Sequence, residues 1–128
     1  MKEKNILIVD DEPSVLRLFK LFFLRAGYNV LTAESGEEAI ELLEEEKILV
    51  FFLDLRLPKM SGLELCREIK KSIPMAIIYA ITGYASLFEL SDCRVAGFDD
   101  YFNKPVSLPV LLKVTEEAFN KIERWRKT

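Results

Sequence analysis

The heptapeptide Ile48-Leu49-Val50-Phe51-Phe52-Leu53-Asp54 constrains the fold more than any other stretch, because an unbroken apolar run ends abruptly in one carboxylate. A run with β-branched and aromatic members and no polar alternation predicts a strand covered on both faces. That is the environment of a parallel sheet between two helical layers. Asp54 then lies at the carboxyl end of the strand, the edge where open α/β sheets gather their chemistry. Taken alone, a single acid there does no more than solubilise a strand exit.

The remainder of the chain repeats the theme. Ile6 to Val9 is a short apolar strand ending in Asp10-Asp11-Glu12, and Pro13 suits the first turn of a helix. From Ser14 to Ala26 the residues Val15, Leu18, Phe19, Phe22 and Ala26 recur at helical spacing, and Gly27 stops the helix. Leu21 and Leu24 fall away from this stripe. Asn29 to Ala33 is a second strand, and Ser35-Gly36-Glu37-Glu38 is a capped start for a helix with Ala39, Ile40, Leu42 and Leu43 inward. After the central run, residues 57–62 form a turn, and Leu63 to Ser72 a helix closed by Pro74. Met75 to Ile81 is a fourth strand ending in Thr82-Gly83. A weakly patterned helix follows from Ala85 to Val95, and Phe98 to Phe102 is a fifth strand ending in Asn103-Lys104-Pro105. Ser107 begins a last helix with Leu111, Val114, Ala118, Phe119, Ile122 and Trp125 on its stripe. Five strand-helix repeats with short connections dictate right-handed crossovers and a parallel sheet with helices on both faces.

Composition narrows the function classes. A chain of 128 residues, 50% hydrophobic and 30% charged, is expected to be one domain over 1–128, with a linker or tail beginning near 124–128. The net charge of -3 gives no global attraction to nucleic acid or to an anionic membrane. No apolar stretch reaches membrane-spanning length, and the amino terminus runs straight into a strand without a signal peptide, so a cytoplasmic location is expected. Cys66 and Cys93 have no histidine to share a metal with and read as buried, reduced thiols.

The chemistry lies in the strand ends taken together. Right-handed winding brings Asp10, Asp11, Asp54, Thr82 and Lys104 to one edge of the sheet. Carboxylates converging there repel one another, and a hard divalent cation such as Mg²⁺ answers this while leaving positions open for phosphate oxygens. Lys104 adds a second positive charge and Thr82 a hydroxyl donor. A carboxylate beside a cation, an ammonium and a hydroxyl is an arrangement for phosphoryl transfer. Binding of phosphate without a metal is disfavoured, because the loop after the first strand is acidic rather than glycine-rich.

These residues carry a resemblance: over essentially its whole length the chain resembles the receiver domain of two-component response regulators. The acidic pair Asp10-Asp11, Asp54, Thr82, Tyr101 and Lys104-Pro105 fall at that family's spacing, and residues 54–62 and 97–101 are of its type. The resemblance implies a flavodoxin-like, doubly wound (βα)5 fold with strand order 2-1-3-4-5. It implies that Asp54 accepts a phosphoryl group from a phosphohistidine on a histidine kinase or histidine phosphotransfer protein. Asp11, Asp54 and the main-chain carbonyl of Arg56 would ligate Mg²⁺, for which Mn²⁺ can substitute, with Asp10 acting directly or through water. Lys104 and Thr82 would hold the phosphoryl oxygens, and Tyr101 would be the switch that follows Thr82 inward. The Lys104-Pro105 bond would be cis. The readout surface would be the fourth helix, fifth strand and fifth helix, facing an output domain or effector, with a homodimer on phosphorylation as one form of output.

A phosphorylation-controlled signalling switch, and not an enzyme acting on an external metabolite, is therefore the expectation. Two bulky residues flank the site, Arg56 two positions after Asp54 and Tyr84 two after Thr82, and would shield the acyl phosphate from water. Leu21 and Leu24 on the first helix would dock a kinase's helical bundle. The alternatives are a degenerate pseudo-receiver acting as an interaction module, and an aspartyl-nucleophile phosphatase. The latter would need a second Asp two residues after its nucleophile, where Glu12 stands after Asp10. A flavin-binding flavodoxin would need a Ser/Thr-rich phosphate loop. The chain either stands alone or is the receiver of a longer regulator.

Overall fold

The computed structural model describes residues 4–83 and 86–126, apart from the side chains at 87 and 88. Five parallel strands lie in the order β2-β1-β3-β4-β5: β1 (Asn5–Val9), β2 (Asn29–Ala33), β3 (Val50–Asp54), β4 (Ile77–Thr82) and β5 (Asp100–Asn103). They alternate with α1 (Pro13–Arg25), α2 (Gly36–Glu45), α3 (Gly62–Ser72), α4 (Leu87–Ala96) and α5 (Leu108–Arg126). This is the flavodoxin-like arrangement that the resemblance implies.

The two-residue period of a strand sorts the core into two layers. Leu7, Val9, Phe51, Leu53, Ile78 and Ala80 face one way and pack with Ala39, Leu65, Cys66, Ile69, Cys93 and Ala96 from α2, α3 and α4. The alternate residues Ile6, Ile8, Val50, Phe52, Ile77, Tyr79 and Ile81 face the other way, onto Leu16, Phe19 and Phe23 of α1 and Leu111, Ala118 and Ile122 of α5. Every residue of β3 is buried, as a strand covered on both faces must be. An aromatic row crosses the second layer: Phe23 stacks on Phe52 at 5.6 Å, Phe52 lies 5.2 Å from Tyr79, and Tyr79 meets Phe102 edge-on at 5.9 Å.

Local chemistry sets the helix ends. The side chains of Ser35, Ser61 and Ser86 accept from the backbone N–H of Glu38, Glu64 and Glu89, capping α2, α3 and α4. Gly97 ends α4 with φ 112°, a left-handed conformation that a side chain would strain.

Several sequence expectations are corrected. On α1 the buried residues are Leu16, Phe19 and Phe23, whereas Leu18 is 54% exposed and Ala26 is exposed, because the face turned to the sheet is the one that carries Leu16, Phe19 and Phe23. Trp125 is 62% exposed, beyond Ile122, where the buried face of α5 with Leu111, Thr115, Ala118 and Ile122 ends. Strand β3 begins at Val50 rather than Ile48, β4 at Ile77 rather than Met75, and β5 at Asp100 rather than Phe98, because ladder partners begin only there. Helix α4 begins at Leu87, and Tyr84 and Ala85 lie outside the described residues.

Candidate functional site

Strands β1 and β3 are neighbours in a register that runs from Ile6↔Val50 to Val9↔Leu53. One step beyond the last pair stand Asp10 and Asp54. Register alone therefore sets two carboxylates abreast at the sheet edge, on strands that lie about 4.8 Å apart. Both are buried, at 3% and 6% exposure.

Each acid is held in the same way. Asp10 Oδ1 accepts from the Glu12 N–H at 2.9 Å, and Asp54 Oδ1 accepts from the Arg56 N–H at 2.9 Å, so each side chain closes a tight turn onto the backbone two residues on. The Oδ2 atoms share one cation: Lys104 Nζ lies 3.0 Å from Asp10 and 3.0 Å from Asp54. Two carboxylates no more than about 6 Å apart repel by roughly 3 kcal/mol at an effective dielectric near 20, and the ammonium between them offsets this. Lys104 reaches the spot from the exit of β5, where its N–H donates to the Thr82 carbonyl at 2.7 Å and its peptide bond to Pro105 is cis. Thr82 ends β4, fully buried.

Burial pushes the Asp54 carboxyl above its ordinary range, with Asp10 adding to the rise, against the pull of the Arg56 N–H and the Lys104 ammonium. Burial alone would lower Lys104, but its hydrogen bonds to Asp10 and Asp54 outweigh it and leave the ammonium raised.

The loop after β3 folds back tightly. The Gly62 N–H donates to the Leu55 carbonyl at 3.1 Å, and a Cβ on Gly62 would run into the Asp54 carbonyl oxygen and come within 2.8 Å of Leu55 Cα. Glycine is needed here for close approach to the backbone that carries Asp54.

Carboxylate oxygens of Asp10, Asp11 and Glu12 come within 4.8 Å of one another. An all-oxygen, anionic donor set of this kind suits a hard divalent cation. Asp54 lies outside this trio and joins it through Lys104, which bonds to Asp10. Glu12 belongs to this trio although the ligand set implied by the resemblance does not name it; its place directly after Asp10-Asp11 makes it readable in the sequence.

A second contact was also missed. Arg56 Nη2 lies 3.1 Å from Glu89 Oε1 on α4, so the guanidinium reaches away from the loop it belongs to. The sequence signal was Ser86-Leu87-Phe88-Glu89, whose first and last residues form the capping box of α4. Tyr101 pairs with Ala80 across β4 and β5 and is 40% exposed. Tyr84, paired with Arg56 as a shield in the sequence reading, lies outside the described residues.

Comparison with known proteins agrees with this geometry. The model of the response regulator receiver domain matches residues 6–116. The chain is 39% identical over 104 residues to the alkaline phosphatase synthesis transcriptional regulatory protein PhoP of Bacillus subtilis, covering 81% of this chain and 43% of that protein. It is 36% identical over 119 residues to a cyclic di-GMP phosphodiesterase of Thermotoga maritima, covering 92% of this chain and 32% of that protein. It thus spans less than half the length of these curated relatives. Among solved structures, a CheY-like receiver domain protein from Methanospirillum hungatei superimposes with a TM-score of 0.92 at 34% identity, covering 96% of this chain and 98% of that one. A response regulator from Burkholderia pseudomallei, described with a phosphorylated aspartic acid, a calcium ion and citrate, gives a TM-score of 0.83 at 29% identity, covering 97% and 73%. With the family's model matched from the first strand into the last helix, the chain belongs to the response regulator receiver domains.

Proposed function

We propose that the chain is a single receiver domain over 1–128, cytoplasmic, that takes a phosphoryl group onto Asp54 from a phosphohistidine of a histidine kinase or phosphotransfer protein. The observation that carries the reading is the pair of buried acids, Asp10 and Asp54, sharing the Lys104 ammonium. An Asp54 carboxylate oxygen attacks phosphorus, forming the P–O bond of an acyl phosphate. The P–N bond to the donor imidazole breaks, and that nitrogen keeps the electron pair and takes up a proton. Lys104 moves from a carboxylate partner to the transferred oxygens, and the Thr82 hydroxyl donates to another, so charge spread over those oxygens is met in a site largely closed to water.

Asp11, Asp54 and the Arg56 carbonyl, with Asp10 directly or through water and Glu12 beside them, would hold Mg²⁺ or Mn²⁺. The cation supplies charge neutralisation for the phosphoryl oxygens. Phosphorylation adds roughly -1.5 to -2 charges, and Thr82 and Tyr101 follow it inward to bias the α4-β5-α5 surface seen by an output domain or effector. The domain acts on its own Asp54 and on no external metabolite. That a related regulator is described with a phosphorylated aspartic acid and a calcium ion supports the assignment.

Incubation with acetyl phosphate and Mg²⁺, read by intact mass, tests it. One phosphoryl group is expected on the wild type and none on Asp54→Ala. A folded wild type that gains nothing would leave a pseudo-receiver.

A further inference from the structure

Among its described side chains, the fourth helix is buried only in its second half. Its buried described side chains are Cys93 and Ala96, both small and both in its second half, while Glu89 and Leu90 are only partly covered and Ser91 and Asp92 are exposed. Among the described residues, the first turn carries polar contacts. Ser86 accepts from the Glu89 N–H at 3.2 Å, and Glu89 Oε1 accepts from the Ser86 N–H at 3.2 Å. The same carboxylate receives Arg56 Nη2, at 3.1 Å on Oε1 and 3.3 Å on Oε2. Glu89 therefore both closes the capping box of α4 and anchors a side chain from the loop after Asp54.

The other end of that connection is Asp54. The Arg56 backbone N–H donates to Asp54 Oδ1 at 2.9 Å, so one residue touches the phosphoacceptor with its main chain and α4 with its side chain. The Arg56 side chain is 61% exposed and that of Glu89 29%, an ion pair weak enough to be exchanged. A phosphoryl group two residues away carries more negative charge than Glu89 and offers oxygens that match the planar guanidinium fork.

Building on the assignment of Asp54 as phosphoacceptor, we propose that Arg56 is a transferable positioning residue: it pins the first turn of α4 through Glu89 while Asp54 is unmodified, and leaves Glu89 for the phosphoryl oxygens once Asp54 is phosphorylated. The release of α4 is then a direct consequence of charge added at Asp54, in parallel with the movement at Thr82. The arrangement also assigns Arg56 a role beyond shielding, since its side chain is committed to a partner on another element before any phosphate arrives.

Amide hydrogen exchange of the first turn of α4 tests this in the full chain. In the unmodified protein, Arg56→Ala and Glu89→Gln should each speed exchange about two- to fivefold, the range that an exposed ion pair supplies. Glutamine can still close the capping box, so the loss reports the ion pair. The double variant should exchange no faster than either single one, and Arg56→Lys should restore part of the protection. Ser86→Ala, which removes the cap alone, should add to Arg56→Ala. After treatment with acetyl phosphate and Mg²⁺, the wild type should rise to the level of the Arg56→Ala variant, which itself should not change. Wild-type exchange in both single variants, additive effects in the double variant, or an equal rise on phosphorylation in wild type and Arg56→Ala would each overturn the proposal. Should intact mass show no phosphoryl group at Asp54, the assignment of function fails, while the unmodified comparison still decides whether Arg56 pins α4.

Discussion

Replacing Gly62 with alanine adds a single methyl group beside the backbone that carries Asp54. Gly62 has an ordinary backbone conformation, so the substitution is a matter of space alone. The new Cβ would sit 2.8 Å from Leu55 Cα, and the Asp54 carbonyl oxygen obstructs it further. Carbon atoms in contact settle at about 3.5–4.0 Å, so the loop or the end of β3 has to yield by roughly 0.7 Å or more. Neither obstacle is the flexible end of a side chain. Overpacking of this kind costs about 1–3 kcal/mol, or roughly 4–12 °C in melting temperature for a domain of this size. A reacting group displaced on the ångström scale loses about a hundredfold in rate. Thermal melts and the initial rate of phosphorylation by acetyl phosphate should therefore both fall. Gly36→Ala is the control: its Cβ would meet the Met60 sulfur at 2.8 Å, the mobile part of a side chain that can swing aside. A Gly62→Ala protein that loses no more than Gly36→Ala in either assay would refute the claim that close approach at Gly62 positions Asp54.

Other substitutions probe different terms. Asp54→Asn should stabilise the unmodified protein at neutral pH: the folded carboxyl titrates above its unfolded value near 3.8, so its stabilising influence is complete only below that value and is lost as pH rises through the folded pKa. Denaturant titrations should show the advantage at pH 7 shrinking as the pH falls toward 3.8, and an advantage that grew on acidification would contradict the sign. Leu21→Glu with Leu24→Glu, at positions 51% and 46% exposed, should leave stability within about 0.5 kcal/mol and leave phosphorylation by acetyl phosphate unchanged. Transfer from a partner kinase should slow, and an unchanged transfer rate would remove this face from kinase docking. Cys66 is fully buried with its thiol pushed up to about 12 by burial, so iodoacetamide should label it only on unfolding, and rapid labelling of the native protein would disprove its packing.

Much of this protein was open to reading from its residues because the signals were local. The run from Ile48 to Leu53 required a strand covered on both faces, and all five residues of β3 are buried. Ser35 and Gly97 marked helix ends through the chemistry of their own side chains or lack of one, and five strand-helix repeats left a parallel sheet as the consistent answer. The order of the strands and the roles of the strand-end residues came instead from resemblance to a family. Helix faces were less legible: spacing placed Leu18 inward, and only the sheet beneath α1 selected Leu16, Phe19 and Phe23.

What the tertiary structure alone decided is how the charges meet. The residues at 10, 54 and 104 are far apart along the chain, and no local pattern reports that one ammonium lies 3.0 Å from each of two acids. That follows from the register of β1 on β3, which sets Asp10 beside Asp54, and from the exit of β5, where the Lys104 N–H donates to the Thr82 carbonyl of β4. The pairing of Arg56 with Glu89 is of the same kind. The sequence by itself determined that Asp54 would end a buried strand at the working edge of a sheet. Its burial, which raises its basicity, its partners Asp10 and Lys104, and the contact of Arg56 with α4 exist only once strands distant in sequence are brought side by side.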